Sequence, residues 1–376
     1  MIGKNMSGAI VHEWIEPIGG AEQVLDAMVQ TYPDSDLYCL WDDDPDRFPE
    51  TKVYESILSK VPLRGHKALS LPLMPPIWRH LKAHSRYEWI LVSSHLFAHH
   101  ARFANLPDIP KFVYAHTPAR YIWNPEIDER GRSLPIRMAS YPLKKLDHRR
   151  AKEITFIAAN SEFVRERIQK AWDRDATVIY PPVDVESILQ VKDWRTQLSC
   201  AEASLFESLP NDFLLGASRF VPYKKLDTVI RVGEQVGLPV VIAGRGPERQ
   251  HLEEIARSAA IPVFFVGSPS DSMLRALFQS CLFYVFPPIE DFGIMPVEAM
   301  ACGARVLVSS GGGALESVRA CEGGRVVSDW SDPQIKDVLE EGLLSIDKET
   351  LPHQTLQFST QAFQTKLKQW MELSLR

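Results

Sequence analysis

The sequence predicts an α/β protein made of two parallel βα domains in series. Short apolar runs of strand length alternate with longer amphipathic runs along the chain, which is typical of parallel βα units. The 376 residues suit two domains of ordinary size. Pro181 and Pro182 interrupt the alternation near the middle, because neither can continue a strand. We therefore predict a first domain over residues 1–184 and a second over 185–360, with a final helix in 361–376 that packs back on the first domain.

Five or six apolar runs define the predicted sheet of each domain. The predicted strands of the first domain span residues 8–13, 36–41, 89–93, 111–115, 155–159 and 177–179. Those of the second domain span residues 213–217, 239–243, 263–266, 282–286 and 305–308. Ligands of open α/β sheets bind beyond the carboxyl ends of the strands, so we expect site residues in the loops that follow these runs.

The composition excludes several classes of protein. The chain is 45% apolar and 24% charged, as globular proteins are, and its net charge of −6 leaves no overall basic footprint for nucleic acid. No apolar run approaches the ~20 residues of a membrane-spanning helix, and the first residues lack the apolar core of a signal peptide. The five dispersed cysteines have no metal-ligand spacing, which favours reduced thiols in the cytoplasm. The sequence therefore predicts no cofactor, no bound metal and no nucleic-acid partner.

The segment 287–303 is the most informative part of the chain. It follows an apolar strand-like run, and within it Glu290 precedes a turn at Gly293 and a helix-like run. Unpaired N–H groups and the macrodipole at a helix N-terminus favour an anion. Pro296 suits the first turn, and Glu298 is expected to lie in that same turn and to stay ionised. This arrangement fits a phosphate with a sugar on each side, as in a nucleotide sugar. A buried strand–turn–helix with a capping acid is the alternative.

Two glutamates eight residues apart around Phe-Gly-Ile resemble the signature of the retaining family-four glycosyltransferases. That family has the GT-B fold, in which two Rossmann-like βα domains face a central cleft. The resemblance implies that Glu290 contacts the donor sugar and that Glu298 holds the hydroxyls of the nucleotide ribose. It also implies that the backbone of four residues lies near the donor sugar and phosphates. These are Phe292, Gly293, Ile294 and Met295.

Two loops of the first domain add candidate residues. Gly19 and Gly20 precede a predicted helix, where glycines allow a backbone to approach a phosphate or a sugar; a plain tight turn is the alternative. His116 ends the fourth predicted strand, where it can donate to a sugar hydroxyl or hold a loop. The strings 12–22 and 116–123 resemble bacterial mannosyltransferases of O-antigen and exopolysaccharide assembly, which implies that His116 lies beside the donor sugar. The candidates for acceptor contact are Arg120, Tyr121 and Trp123.

A basic pair opens the second domain. Arg219 and Lys224 lie five residues apart in a strand-to-helix loop, and Lys225 is the next candidate. Arginine offers a planar fork of donors to phosphate oxygens, and lysine offers a point charge. An arginine and a lysine with this spacing neutralise the leaving diphosphate in the family, so the resemblance assigns that role to Arg219 and Lys224. A solvated basic loop is the alternative.

Two further loops are expected to hold the nucleotide base. One contains Gly244, and the other spans 267–271 and contains Pro269. In the family the backbone of the second loop binds the base, but Pro269 has no N–H to donate, so the identity of the base stays open. The glycine-rich loop 309–316 is predicted to pack near the donor by its backbone.

Two other features have competing explanations. The run 42–46 has the Asp-x-Asp spacing of metal-dependent glycosyltransferases of another fold, and a turn rich in Asp and Pro explains it as well. The segment 60–89 carries six lysines and arginines against one acid, interleaved with apolar residues. This composition suits a surface that binds anionic lipid, and an ordinary βα connection equally.

Together these motifs predict a retaining, metal-independent hexosyltransferase with His116, Glu290, Arg219 and Lys224 as catalytic residues. The resemblance implies transfer of mannose from GDP-mannose to a lipid-linked glycan in bacterial surface polysaccharide synthesis, such as that of lipopolysaccharide. The expected location is the cytoplasm, peripherally at the inner face of the cytoplasmic membrane. A UDP-sugar donor and a non-catalytic nucleotide-sugar-binding protein remain alternatives. An epimerase or a pyridoxal-dependent phosphorylase would share the architecture.

Overall fold

The computed structural model describes residues 7–123 and 134–374 and divides into two compact units. Unit 1 contains the described residues up to Pro182 together with those from Thr360 onward, and unit 2 runs from Val183 to Ser359. The first six residues, on which the expectation of no signal peptide rests, lie outside the described part, as do the side chains of Ala68, Tyr121 and 134–140. Within the described ranges, no helix has the length and apolar character needed to cross a lipid bilayer.

Across its described residues, unit 1 contains a sheet of seven parallel strands in the order β3-β2-β1-β4-β5-β6-β7. The strands are β1 (Gly8–His12), β2 (Asp36–Cys39), β3 (Val53–Glu55), β4 (Trp89–Ser94), β5 (Lys111–Ala115), β6 (Phe156–Ala159) and β7 (Thr177–Val178). The α-helices among them are α1 (Gly20–Thr31), α2 (Lys67–Ser70), α3 (Met74–Arg79), α4 (Arg120–Trp123), α5 (Leu134–Ala151) and α6 (Glu162–Trp172).

Burial on both faces explains why the central strands are continuous apolar runs. Every residue of β1 and β4 is buried, because helices cover both faces of a parallel sheet. Val24, Leu25 and Met28 on α1 are fully buried and lie on one helix face, which fixes how α1 packs on the sheet. The sequence does not predict β3, because this three-residue edge strand is half-exposed and lacks an apolar run.

Unit 2 is built on a second sheet of parallel strands, with the order β10-β9-β8-β11-β12-β13. The strands are β8 (Leu214–Ala217), β9 (Val240–Ala243), β10 (Val263–Gly267), β11 (Phe283–Phe286), β12 (Val306–Ser309) and β13 (Gly324–Val327). The helices are α7 (Val185–Leu189), α8 (Cys200–Glu207), α9 (Leu226–Val236), α10 (Arg249–Ser258), α11 (Asp271–Ser280), α12 (Ile294–Ala301), α13 (Ala314–Ala320), α14 (Ile335–Ser345) and α15 (Leu351–Gln354).

The last helix, α16 (Thr360–Ser374), belongs to unit 1. Phe363, Leu367 and Met371 are buried at intervals of four residues, so they form one apolar stripe. This stripe joins the core around Phe112 and Tyr114, where the ring of Phe363 lies edge-on to Tyr114 with centroids 5.6 Å apart. Burial of the stripe therefore returns the end of the chain to the first unit.

The parallel order brings the carboxyl ends of neighbouring strands to one edge of each sheet. In unit 1, β1, β4 and β5 are adjacent, so the residues at their ends can meet. In unit 2, β9, β8 and β11 are adjacent, and the loops that follow them carry Gly244, Arg219 and Glu290. The sheet order thus gathers the candidate residues of each unit at a single edge.

Candidate active site

Three polar side chains meet at the carboxyl ends of β1, β4 and β5. His12 Nδ1 lies 3.0 Å from Ser93 Oγ, and Ser93 Oγ lies 2.8 Å from His116 Nε2. His12 and Ser93 are fully buried. The backbone N–H of His116 also donates to the carbonyl of Ser94 at 2.8 Å. The predicted residue His116 is therefore held through its ring and its backbone.

Two buried glutamates flank this chain of hydrogen bonds. Glu13 accepts from backbone N–H groups of the loop after β4, two of them at 2.8 Å. Burial favours the neutral form of Glu13, but the charges of His95 and His12 and these bonds outweigh it, so its pKa is lowered. Glu22 Oε1 lies 3.9 Å from His12 Nε2. Burial raises the pKa of Glu22, but contact with His12 dominates the net effect and lowers that pKa to about 2. Sequence reasoning assigned no role to either acid.

His116 has a neutral ring with one nitrogen available. Burial lowers the pKa of His116 to about 3, and the neighbouring His95 and His12 act in the same direction. Its Nε2 is engaged with Ser93, whereas no described residue hydrogen-bonds to its Nδ1. The ring can therefore exchange one hydrogen bond with a sugar hydroxyl through Nδ1, and it cannot act as a cation for phosphate at ordinary pH.

The two predicted glycines of unit 1 lie at the start of α1. Gly19 is the N-cap and Gly20 is the first helical residue. A side chain at Gly19 would collide with the carboxylate of Glu22, which folds back and accepts from its own backbone N–H. This helix end already holds an anion, so a phosphate there would be repelled. We expect Gly19 and Gly20 to suit an uncharged part of a sugar.

Trp123, a candidate for acceptor contact, is engaged inside unit 1. Its indole N–H and that of Trp172 both donate to Asp147 Oδ2 at 2.7 Å. Asp147 Oδ1 lies 2.9 Å from His99 Nε2 and 3.0 Å from His100 Nε2. His99, His100 and Asp147 lie close enough together to hold a metal ion. However, Asp147 Oδ2 already accepts from two indole N–H groups, and Oδ1 faces the two imidazoles. Asp147 is fully buried, and its contacts with these side chains hold the surrounding helices together.

In unit 2, Lys224 forms an ion pair with Glu290. The Lys224 side chain is 10% exposed and that of Glu290 is 20% exposed. Lys224 Nζ also lies 5.8 Å from the centre of the Phe286 ring. Lys225 instead is exposed, has a φ of 52° and caps α9. The structure therefore brings Lys224 and Glu290 together and leaves Lys225 on the surface.

Gly293 turns the chain between Glu290 and α12. Its φ of 88° lies in the region that favours glycine, and a Cβ there would lie 2.9 Å from Ala314 Cβ. Phe292 before it is buried. The helix has no side-chain cap, so its first N–H groups, those of Ile294 and Met295, are open to an anion.

The loop 309–316 supports this turn from the side. The N–H of Gly313 donates to the carbonyl of Glu290 at 2.8 Å. A side chain at Gly313 would collide with the backbone of Asp291 and Phe292. The glycines of this loop therefore allow two backbones to pack against each other and hold Glu290 in place.

Glu298 differs from the sequence-based expectation in two respects. It is the fifth residue of α12, so it lies in the second turn and not in the first. Burial raises the pKa of Glu298 to about 7; Arg275 opposes this shift, and Asp271 and Asp184 reinforce it. The carboxyl is therefore only partly ionised near neutral pH, because the helix dipole falls off within the first turn and burial opposes the charge. A carboxyl that is partly protonated near neutral pH can donate as well as accept, which suits a diol.

A cavity of about 270 Å³ lies beside these residues within unit 2. Four of the predicted residues line it: Arg219, Gly244, Pro269 and Met295. Gly244 has a φ of 133°, and a side chain there would collide with the carbonyl of Ser218. Arg219 is exposed and donates to the Tyr223 hydroxyl at 3.0 Å. The volume is near the lower end of ligand pockets.

The loop after β10 offers few backbone donors to a base. Pro269 has no N–H, and the N–H of Ser270 donates to Glu202 Oε1 at 3.3 Å. The Ser270 hydroxyl accepts from the N–H of Met273 at the start of α11, and its own hydrogen bond is with Glu202. Two adjacent positions of this loop are therefore unable to donate to a nucleobase.

The Asp-x-Asp run forms a turn. Asp42 Oδ1 accepts from the N–H of Asp44 at 2.9 Å. Asp43 pairs with Arg64 at 3.0 Å, and Asp44 pairs with Arg47 at 3.3 Å. The three carboxylates serve different partners and do not converge on one point, which favours the turn over a metal site.

Comparison with known proteins agrees with the two sheets and the motifs. Residues 18–187 match the family described as Glycosyltransferase Family 4, and residues 203–350 match Glycosyl transferases group 1. The first match falls largely in unit 1 and the second in unit 2. The chain belongs to these glycosyltransferases.

Several relatives transfer mannose. WbdA of Escherichia coli, a serotype-specific mannosyltransferase, is 34% identical over 116 residues, which are 27% of this chain and 14% of WbdA. A GDP-mannose-dependent α-(1-6)-phosphatidylinositol monomannoside mannosyltransferase of Mycobacterium tuberculosis is 26% identical over 210 residues, 52% of this chain and 53% of that protein. An uncharacterized glycosyltransferase of Methanocaldococcus jannaschii is 34% identical over 113 residues, 28% of this chain and 29% of that protein. The chain thus spans about half the length of these relatives or less.

Solved structures match nearly the whole chain. HepE of Anabaena in complex with UDP has a TM-score of 0.69 at 18% identity, covering 98% of this chain and 100% of HepE. The lipopolysaccharide outer core galactosyltransferase WaaB, in its apo form, has a TM-score of 0.70 at 15% identity, covering 97% and 99%. At these identities the likeness shows the fold alone, and it confirms the predicted α/β class with two Rossmann-like sheets of the GT-B type.

Proposed function

We propose that this protein transfers a hexosyl group from a nucleotide sugar to a glycan, with retention of configuration and without a metal ion. The proposed donor is GDP-mannose, and the proposed acceptor is a lipid-linked glycan of a bacterial surface polysaccharide. Membership of the glycosyltransferase family supports hexosyl transfer. Two mannosyltransferases among the relatives, one of them GDP-mannose-dependent by name, support the choice of donor.

The ion pair of Lys224 and Glu290 beside the start of α12 carries this proposal. A buried lysine and the open N–H groups of a helix together create a positive potential that suits a diphosphate. An arriving diphosphate would replace Glu290 as the partner of Lys224. The Glu290 carboxylate would then be free to accept from hydroxyls of the donor sugar. Arg219 is exposed and has room to turn toward the same phosphates.

The proposed chemistry depends on charge stabilisation more than on a general base. The acceptor hydroxyl attacks the anomeric carbon from the face on which the diphosphate leaves. The new C–O bond forms as the bond to the phosphate oxygen breaks, and that departing oxygen takes the proton of the hydroxyl. Preorganised donors at the developing charge lower the barrier, and Arg219, Lys224 and the start of α12 supply them in this scheme. The neutral His116 orients a sugar hydroxyl through Nδ1.

A thermal-shift panel with GDP-mannose, UDP-glucose, UDP-N-acetylglucosamine and their nucleoside diphosphates tests the donor. Ligands that bind the folded state raise its stability by mass action. We expect GDP compounds to raise Tm in the wild type and to do so less in Arg219→Ala. Stabilisation by UDP compounds alone would contradict the choice of GDP-mannose. A Tm that moves with none of them would contradict a nucleotide-sugar site.

The stereochemistry of the product tests retention separately. The anomeric coupling of the newly formed linkage is measured by NMR after incubation with an α-linked donor and an acceptor glycan. We expect an α-linkage. A β-linkage would show inversion and would remove the same-face mechanism while leaving the donor site intact.

A UDP-sugar donor is the second candidate. The loop with Pro269 and Ser270 offers few backbone donors to a base, so it does not favour guanine over uracil. HepE, which matches the fold, binds UDP. In this case the same panel gives stabilisation by UDP and UDP-sugars, and the mechanism is unchanged.

Binding to the inner face of the membrane is proposed for the segment 60–89. Three of its cations, Arg64, Lys67 and Arg79, pair with acids of unit 1, which is typical of an ordinary βα connection. Leu69 and Leu73 are nevertheless 66% and 43% exposed. We expect a Leu69→Ser, Leu73→Ser double variant to sediment less with phosphatidylglycerol vesicles than the wild type. Equal sedimentation would contradict membrane binding through these leucines.

A further inference from the structure

The amino-terminal edge of the unit 1 sheet carries a second group of charges. Lys111 begins β5 and Glu153 lies just before β6, so both are at the opposite edge of the sheet from His116. A cavity of about 590 Å³ opens at this edge. Its lining combines three prolines with basic side chains. The basic residues are Arg79, His80, Arg102 and Arg150.

Two of these arginines pair with one carboxylate at this edge, and Lys111 lies nearby. Glu153 accepts one hydrogen bond from Arg79 and another, at 2.7 Å, from Arg150. Lys111 Nζ is buried and donates to two backbone carbonyls at 2.9 and 3.1 Å. Burial lowers the pKa of Lys111 to about 8; Glu153 opposes this shift, and the three arginines add to it. Glu153 therefore leaves a surplus of positive charge around the cavity.

Two of the arginines have donors to spare. Arg102 is exposed, and its guanidinium has no hydrogen-bonding or ion-pair partner among the described residues. The Nε of Arg150 is buried without an acceptor in the described part of the chain. A buried N–H without a partner is costly, because it has lost water and gained nothing in return. An anion in the cavity would supply the missing acceptor.

We infer that the cavity formed by Arg79, Arg102 and Arg150 binds a phosphate group, as a monoester or a diester. Guanidinium forks match phosphate oxygens with two parallel hydrogen bonds. The proline walls are rigid and offer no competing N–H groups. The full length of β5, about 16 Å, separates this edge of the sheet from His116. The site is therefore distinct from the residues proposed for sugar transfer, and the phosphate belongs either to a soluble ester or to a lipid headgroup.

The test measures two probes on the full chain. Glycerol 1-phosphate is titrated by calorimetry, and vesicles of phosphatidylglycerol in phosphatidylcholine are used for co-sedimentation. Arg102→Ala and Arg102→Glu remove or reverse the unpaired charge, and because the side chain is exposed, both are expected to fold, which circular dichroism checks. Lys368→Ala changes an exposed lysine of unit 1 that lies outside both the cavity and the segment 60–89. Arg219→Ala removes a candidate phosphate ligand of unit 2.

We expect Arg102→Ala to weaken binding roughly tenfold and Arg102→Glu to abolish it, while Lys368→Ala leaves it unchanged. Any binding that the Arg102 variants weaken must persist in Arg219→Ala, because Arg219 belongs to the candidate site of unit 2. If glycerol 1-phosphate binds and the Arg102 variants weaken that binding, the ligand is a soluble ester. If only the vesicles bind in this Arg102-dependent way, the ligand is a lipid headgroup. The inference is overturned if the wild type binds neither probe, or if binding is the same with and without the Arg102 guanidinium.

Discussion

The hydroxyl of Ser93 links two histidines, lying 3.0 Å from His12 Nδ1 and 2.8 Å from His116 Nε2. A hydroxyl donates only one hydrogen bond, so one of the rings must donate to it. Glu22 lies 3.9 Å from His12 Nε2, and its lowered pKa keeps it ionised, which favours a proton on that nitrogen. When Nε2 carries the only proton of the His12 ring, Ser93 donates to His12 Nδ1 and accepts from His116 Nε2. In that arrangement the available Nδ1 of His116 is an acceptor.

We predict that His116 keeps a neutral ring protonated at Nε2 between about pH 5 and pH 8. Burial lowers its pKa to about 3, so no titration falls in this range. Nitrogen-15 NMR of labelled histidines distinguishes the two ring nitrogens, and His116→Gln assigns the resonance. In Ser93→Ala the acceptor for Nε2–H is lost, so the tautomer ratio should change while the ring stays neutral. A titration midpoint near the ordinary ~6.5, or a proton on Nδ1 in the wild type, would contradict this.

Replacing Lys224 should cost far more turnover than replacing Lys225. Lys224 is buried against Glu290, whereas Lys225 is exposed. We expect Lys224→Ala to lower kcat by roughly 10²–10³, the usual loss when one preorganised donor to a developing charge is removed. Lys225→Ala should stay within about twofold, as for most surface changes. Steady-state rates at saturating donor measure both variants. Equal losses, or a larger loss in Lys225→Ala, would show that the ion pair is not the phosphate site.

Glu298→Gln is expected to make the protein more stable at alkaline pH. The pKa of Glu298 in the folded state, about 7, exceeds its ordinary value of ~4.3 in an unfolded chain. Between these values the folded state binds more protons than the unfolded state, so stability falls as pH rises through the window. Glutamine does not ionise and escapes this loss. The Tm difference between variant and wild type should be small at about pH 4.5 and grow toward pH 8.

The same variant should lose donor affinity, since glutamine replaces the carboxyl proposed to hold the ribose diol. Glu207→Gln, on the exposed side of α8, controls for loss of a negative charge from unit 2. It should reproduce neither the alkaline stabilisation nor the weaker donor binding. A Glu298→Gln protein with unchanged donor affinity would remove Glu298 from the ribose role, whatever its effect on stability.

Local patterns predict the central strands and the edge strands β7 and β10, and they miss the edge strands β3 and β13. The predicted strand 111–115 coincides with β5, because its apolar residues are bounded by Pro110 and by the polar loop after it. β13 begins with Gly324 and Arg325, so it lacks an apolar run and could not be predicted. Its pairing with β12 forms only when the sheet is assembled.

For the candidate site, local motifs likewise predict some features, and the others depend on the assembled fold. Motifs identify Lys224 and Glu290, but their contact joins positions 66 residues apart and depends on β8 lying next to β11. Ser93 has no motif of its own, and its bond to His12 spans 81 residues. The raised pKa of Glu298 comes from burial, which the sequence does not reveal. Residue identity could therefore be predicted, whereas partners and protonation required the fold.

Gly293→Ala should destabilise the protein more than Gly237→Ala. Both glycines have left-handed φ values, 88° and 72°, so each substitution costs about 1–2 kcal/mol in backbone strain. A Cβ at Gly237 meets nothing within 4 Å, whereas at Gly293 it would lie 2.9 Å from Ala314 Cβ. Overpacking of this kind adds about 1–3 kcal/mol. Urea unfolding of the two variants measures the difference. Adding Ala314→Gly should recover part of the loss in Gly293→Ala and none in Gly237→Ala, and an equal effect in both backgrounds would show that Ala314 is not the obstacle.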